Sequence, residues 1–202
     1  MNKLLWAPDA EQISGANLTQ FQSFLSEKYS ITFAGYPELH QWSVQNKEQF
    51  WSSIVEYLNI KGTFDLSNAF VAGETFQEGR WFPDATLNFA ENLLPKRNND
   101  TAIIERNENG DRKTLSYSQL FSEVERVAAS MRELGVTKGD RVAGFLPNCS
   151  EAIIAMLATA SIGAVWSSCS PDFGINGVID RLGQIQPKLL IATNGYYYAG
   201  KR

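Results

Sequence analysis

The stretch GDRVAGFLPNCSEAIIAMLATASIGAVWSSCSPDFG, residues Gly139–Gly174, decides how the rest of the chain is read. Arg141 to Leu146 is a short, mostly apolar run, and Pro147 ends it because proline has no amide proton to continue a ladder. Asn148 with Glu151 has the spacing of a helix cap, and the nearly all-apolar run from Ala152 to Ile162 predicts a buried helix. Ala164 to Ser167 reads as a second strand, followed by the polar loop SCSPDFG. Strand, helix and strand of these lengths predict a parallel pair joined by a crossover helix.

The same alternation extends in both directions. Downstream, Ile175, Val178, Ile179, Leu182 and Ile185 share one helical face; Pro187 stops that helix, and Leu189 to Ala192 is the next strand. Upstream, Thr101 to Glu105 and Arg112 to Leu115 read as a hairpin around the turn NENGD, which carries Gly110. Ser116 and Gln119 then have capping-box spacing. Tyr117, Leu120, Phe121, Val124, Val127, Ala128, Met131 and Leu134 keep one face apolar, and Gly135 supplies a stop. From about residue 100 onward the pattern predicts the α/β class: a partial doubly wound parallel sheet with flanking helices, covered on both faces.

The first hundred residues have a different texture, with four of the five tryptophans and short helical stretches between aromatic-rich connections. Leu18, Phe21, Phe24 and Leu25 share one helical face. Phe50, Trp51, Ile54, Val55 and Leu58 share another, with Ser43 upstream as the expected cap. Aromatic stripes at this spacing predict packing rather than a ligand box. The single histidine, His40, has no histidine or cysteine cluster with which to hold a metal, and is assigned to structure.

Composition narrows the function classes. The 202 residues are 44% hydrophobic, enough to build a core, and the formal charge is −4 with no basic run. That balance supports neither nucleic acid nor an anionic membrane as a partner. Two cysteines, Cys149 and Cys169, fit free thiols in a reducing cytoplasm. The N-terminus lacks the apolar core of a secretory signal, and the longest apolar run, Ala152 to Ala158, is too short to cross a bilayer.

Ligands of an open parallel sheet bind beyond the carboxyl ends of its strands. The loops at issue are therefore Pro147 to Ser150, Ser168 to Gly174 and Thr193 to Arg202. The middle loop offers hydroxyls, a carboxylate and a glycine at a helix start, where backbone amides can meet a phosphate or a nucleotide. The competing reading is that Ser170, Pro171 and Asp172 only form a turn and cap the helix. Ser167, Ser168 and Ser170 lack the G-x-S-x-G frame of a hydrolase. Gly174, Gly177 and Gly183 do not form G-x-G-x-x-G, and Gly200-Lys201 lacks the rest of a Walker motif. No catalytic constellation is visible.

Several segments carry a family resemblance. GRWFPDATLNFAENLL (Gly79–Leu94), LSYSQL (Leu115–Leu120) and MLATASIGAVWSSCSPDFG (Met156–Gly174) resemble successive segments of the acyl-adenylate-forming acyl-CoA synthetases. Trp42-Ser-Val with Phe50-Trp51 is similar to the extension that precedes the core in the short-chain branch. The wording of WSSCSPDFG and of GYYYAGK (Gly195–Lys201) is similar to the acetoacetyl-CoA branch rather than the acetyl-CoA branch.

This resemblance implies a helical extension and lead-in segment over 1–98 and the first part of an α/β adenylate-forming domain over 99–202. It implies an acid–thiol ligase that uses ATP and Mg²⁺ to make an acyl-adenylate from a small-molecule acid, acetoacetate, and passes the acyl group to CoA. An acetyl- or propionyl-CoA synthetase-like ligase, or a non-catalytic module on the same scaffold, are the alternatives. The expected CoA-contacting residues are Ser170, Pro171, Asp172, Tyr198 and Lys201. Lys201 and Tyr198 stand where related enzymes carry an arginine pair, and Ser170 where they carry an aromatic. The phosphate loop, the ATP and Mg²⁺ sites, the acid pocket and the catalytic lysine of that family lie further along its chains. The expectation is therefore that these 202 residues alone do not catalyse the reaction, and that uncovered surface favours self-association.

Overall fold

The structure is a computed structural model that describes residues 4–200, and it divides into two compact units after Leu87. The first unit carries α1 (Ala10–Gly15), α2 (Asn17–Tyr29), α3 (Tyr36–Gln45) and α4 (Lys47–Tyr57). A two-stranded antiparallel ribbon, β1 (Phe70–Val71) with β2 (Arg80–Trp81), follows the helices. Phe21 and Leu25 of α2 and Leu39 of α3 form the buried centre, with Phe24, Tyr29, Phe33, Trp42, Phe50, Ile54 and Tyr57 packed around it. Phe21 and Phe24 are stacked, and the other rings meet edge-on or tilted, such as Phe21 against Phe50 at 5.8 Å and Tyr29 against Trp42 at 5.4 Å, the arrangement that ring quadrupoles favour.

Two details of the helical reading are corrected. Ser43 does not cap the helix that carries Phe50. It lies inside α3, where its hydroxyl donates to the His40 carbonyl, because Pro37 has already started a helix at Tyr36. The cap position of α4 is Asn46. That helix buries only part of the predicted stripe: Phe50 and Ile54 pack on the core, Trp51 and Leu58 are exposed, and Ser52 and Ser53 are buried in addition. The burial of Ser53 is made affordable by the Tyr29 hydroxyl 3.0 Å from its own, and Ser52 donates to the Leu66 carbonyl.

In the second unit α5 (Phe89–Leu93) is followed by the hairpin β3 (Thr101–Arg106) and β4 (Arg112–Ser116), paired antiparallel as expected. Next come α6 (Tyr117–Glu133), β5 (Arg141–Phe145), α7 (Ser150–Ser161), β6 (Val165–Cys169), α8 (Ile175–Ile185) and β7 (Leu189–Ala192). The capping box of α6 forms as read. The Ser116 hydroxyl accepts from the Gln119 amide at 3.2 Å, and the Gln119 side chain accepts from the Ser116 amide at 2.9 Å. The helix ends in a Schellman motif: Gly135 takes φ +82°, Val136 N–H donates to the Met131 carbonyl, and Gly135 N–H donates to that of Arg132. Met131 and Val136 are both buried at that turn.

Strands β6, β5 and β7 form a parallel sheet in that order, with the first strand in sequence at the centre. Val142, Ala143 and Gly144 of β5 are consecutive and all buried. Neighbouring strand residues point to opposite faces, so both faces of the central strand are covered. The core of the unit gathers Ala90, Leu94, Leu120, Val124, Ala128, Met131, Val142, Ile154, Leu157 and Ala158. Gly144 has a steric reason to be glycine: a Cβ there would stand 2.5 Å from Cη2 of Trp166, whose indole lies across it from β6.

Candidate functional site

The carboxyl ends of all three parallel strands open on one cavity of about 460 Å³. It is lined by Pro147, Asn148 and Cys149 after β5, by Ser170 and Asp172 after β6, and by Gly195 to Tyr198 after β7. Residues 105–108, at the end of β3 and in the hairpin turn, complete the wall. A parallel sheet produces such a site because every strand points the same way, so its outgoing loops gather at one edge.

After β5 the chain turns straight into α7, whose N-cap is Cys149 rather than Asn148. The expected carboxylate, Glu151, lies in the first turn of α7, and a second one joins it: the Ser150 amide donates to Glu105 Oε2 at 2.9 Å, which brings a negative charge from β3 to the positive end of α7. Lys113 Nζ reaches Ser150 Oγ at 3.0 Å and Glu151 Oε1 at 2.7 Å, and so ties β4 to the same helix end. Its hydrogen bond to Glu151 holds the Lys113 ammonium above the usual lysine range, so it stays protonated. Burial pushes the Cys149 thiol up, against the Ala152 amide, which draws it down. The thiol lines the cavity in its neutral form.

After β6 the loop makes a compact turn. Ser170 Oγ donates to Asp172 Oδ2 at 2.6 Å and accepts from the Asp172 amide at 3.3 Å. This turn does not cap α8, whose N-cap is Gly174 without a side-chain bond, so the capping half of the competing reading is not what forms. After β7 the Thr193 amide donates to the Phe145 carbonyl and prolongs the ladder, and the chain then crosses the cavity through Tyr196. Tyr196 Oη donates to Asp172 Oδ1 at 2.6 Å. The Ser170 hydroxyl and then the Tyr196 phenol hold the Asp172 carboxyl below its ordinary value, and Asp172 in turn pushes Tyr196 up to about 12. Further on, the Gly200 amide donates to Glu108 and fastens this segment to the hairpin turn.

Of the residues expected to meet a ligand, Ser170, Asp172 and Tyr198 come together on this cavity. Pro171 sits between two of them without lining it, and Lys201 lies outside the described residues. Tyr196, Glu105 and Cys149 were missed as site residues. Tyr196 stood in plain view inside GYYYAGK, but nothing local in that run says which of its three tyrosines turns toward the loop after β6. Electrostatically the described wall holds three carboxylates, Glu105, Glu108 and Asp172, against one guanidinium, Arg106. Such a wall suits hydroxyl and amino donors better than phosphate, which would need a further cation. Among the described residues no group of three or more His, Cys, Asp or Glu could hold a metal ion.

The family model described as AMP-binding enzyme matches residues 90–200, more than half of the chain. The chain belongs to the AMP-binding enzyme family. A second model, described as the acetyl-coenzyme A synthetase N-terminus, matches residues 36–93. Acetoacetyl-coenzyme A synthetase of Rhizobium meliloti (strain 1021) is 44% identical over 198 residues, which cover 98% of this chain and 30% of that protein. Acetoacetyl-CoA synthetase of Xenopus tropicalis is 39% identical, again over 98% of the chain and 30% of its own length. The solved acetoacetyl-CoA synthetase from Streptomyces lividans superposes with a TM-score of 0.90 at 38% identity, covering 99% of this chain and 31% of that one. The resemblance to the acetoacetyl-CoA branch and the α/β fold read from the sequence are both borne out. The chain spans about 30% of the length of the curated relatives it matches. No helix of the described residues is long and apolar enough to cross a membrane.

Proposed function

We propose that this chain supplies the N-terminal part of an acid–thiol ligase that activates acetoacetate with ATP and transfers the acyl group to CoA. In the first step a carboxylate oxygen attacks the α-phosphorus of ATP and the bond to pyrophosphate breaks, leaving an acyl-adenylate. In the second, the CoA sulfur attacks the acyl carbonyl and AMP departs. Mg²⁺ supplies charge neutralisation on the phosphates in such chemistry, and no residue of this chain is assigned to hold it.

The part these residues play is to receive the nucleotide end of CoA. Tyr198, well exposed at the cavity rim, offers an aromatic face to the adenine, while Ser170 and Asp172 offer polar contacts to its ribose and amino group. Pro171 keeps the turn between them stiff, and Lys201 is the phosphate partner that the acidic wall calls for. The single observation that carries the reading is that likeness to acetoacetyl-CoA synthetases runs through 98% of the chain and so includes all three loops around the cavity. The test is to express the complete gene product and measure CoA-thioester formation with acetoacetate, acetate, propionate and butyrate. Preference for acetoacetate is the expected result. Preference for another acid overturns the substrate, and no thioester from any of them leaves a non-catalytic module as the reading.

A further inference from the structure

The loops after β6 and β7 belong to separate strands on opposite sides of β5, and nothing in the sheet ladder fixes one against the other. Among the described residues, the hydrogen bond that joins them is the one from Tyr196 to Asp172. Its acceptor is already oriented from the other side by Ser170, so both carboxylate oxygens are engaged. The four side chains concerned, Ser170, Asp172, Tyr196 and Tyr198, all face the same cavity, and the Tyr196 and Tyr198 rings lie 6.3 Å apart. The geometry points to Tyr196 as a positioning residue: it latches the loop after β7 to Asp172, and so sets the cavity in the shape that receives the nucleotide end of CoA.

Three features support a latch over a chemical role. The phenol holds its proton throughout the neutral range, so it acts as a fixed donor and not as an acid or base. Its acceptor is a carboxylate, which makes the bond charge-assisted and about twice as strong as a neutral one. A cavity whose walls are held in place before the ligand arrives loses less freedom on binding. The inference rests on the proposed function for the identity of the ligand, but not for the latch itself.

The experiment takes the complete gene product and compares Tyr196→Phe, Asp172→Ala and the double variant with wild type. Tyr196→Phe keeps the ring and removes only the hydroxyl. Two readouts are taken: amide hydrogen exchange over 170–174 and 195–199, and the separate KM and kcat for CoA. Tyr196→Phe is expected to speed exchange in both loops and to raise the CoA KM about three- to tenfold, the loss of one hydrogen bond whose strength exposure to water brings down to the ordinary range, with kcat at saturating CoA retained. In the Asp172→Ala background the same substitution should add nothing further. Unchanged exchange in both loops overturns the latch. Faster exchange with an unchanged CoA KM overturns the assignment of this cavity to CoA. A further rise in KM in the Asp172→Ala background overturns the positioning role, because Tyr196 would then touch the ligand itself. If the wild-type product forms no CoA thioester, the proposed function fails by itself, and the exchange measurement still decides the latch.

Discussion

Replacing Gly144 by alanine adds a single methyl group to the most enclosed strand of the second unit, and the structure says what that methyl meets. An ideal Cβ stands 2.5 Å from Trp166 Cη2 and 2.6 Å from Cζ2, with Ser168 Cβ at 3.4 Å. The first two distances are far inside van der Waals contact, and an indole gives way only as a whole ring. Because no unusual backbone angle is needed at Gly144, the substitution carries no φ penalty and gains about 0.5–1 kcal/mol from the lost flexibility of glycine. Against this stands overpacking of a filled core, which costs about 1–3 kcal/mol. The net expectation is a destabilisation of about 1–2 kcal/mol, a fall of roughly 4–8 °C in the melting temperature of this unit by far-UV circular dichroism. The sharper test is a cycle with Trp166→Leu, which removes the obstructing ring. In that background Gly144→Ala should be neutral or stabilising, since only the backbone gain is left. An equal cost in both backgrounds would refute the steric account of Gly144.

Two further perturbations act on the same unit. Ser116→Ala removes the acceptor for the Gln119 amide at the start of α6 and should cost about 1 kcal/mol, read as a lower urea midpoint with an unchanged slope; an unshifted midpoint would show that the cap contributes nothing. Asp140 accepts from Lys188 and Thr137, which together hold its carboxyl at about 2, below its ordinary 3.8. A folded-state value below the unfolded one means that this stabilisation is complete above about pH 4 and is lost as pH falls from there toward 2. Asp140→Asn should therefore flatten that part of the acid-unfolding curve while leaving the slope at neutral pH alone, and an acid limb identical to wild type would count against the ion pair.

Much of this protein was legible locally. Leu189 to Ala192 reads as a strand and is one, and Ser116 with Gln119 reads as a capping box and forms one. These features depend on neighbours within about four residues, where side-chain periodicity and terminal hydrogen bonding act directly on the backbone. The misreadings also have local causes. Ser43 and Asn148 are both good capping residues in suitable places, but Pro37 and Cys149 set the actual boundaries, and the carboxylate that accepts from the Ser150 amide at the start of α7 is that of Glu105, 45 positions earlier.

By itself, then, the sequence determined the alternation of strand and helix, the hairpin, the stops at Gly135 and Pro147 and the likeness to a ligase family. Tertiary structure alone decided that β5, first of the parallel strands, lies between β6 and β7, that α4 turns Ser53 inward and Trp51 outward, and that Tyr196 rather than a neighbouring tyrosine reaches Asp172. The division has one physical reason. Periodicity and capping are properties of a short segment, whereas strand order, helix rotation and a hydrogen bond across 24 residues exist only after chain closure has brought distant surfaces together and their packing has selected one arrangement.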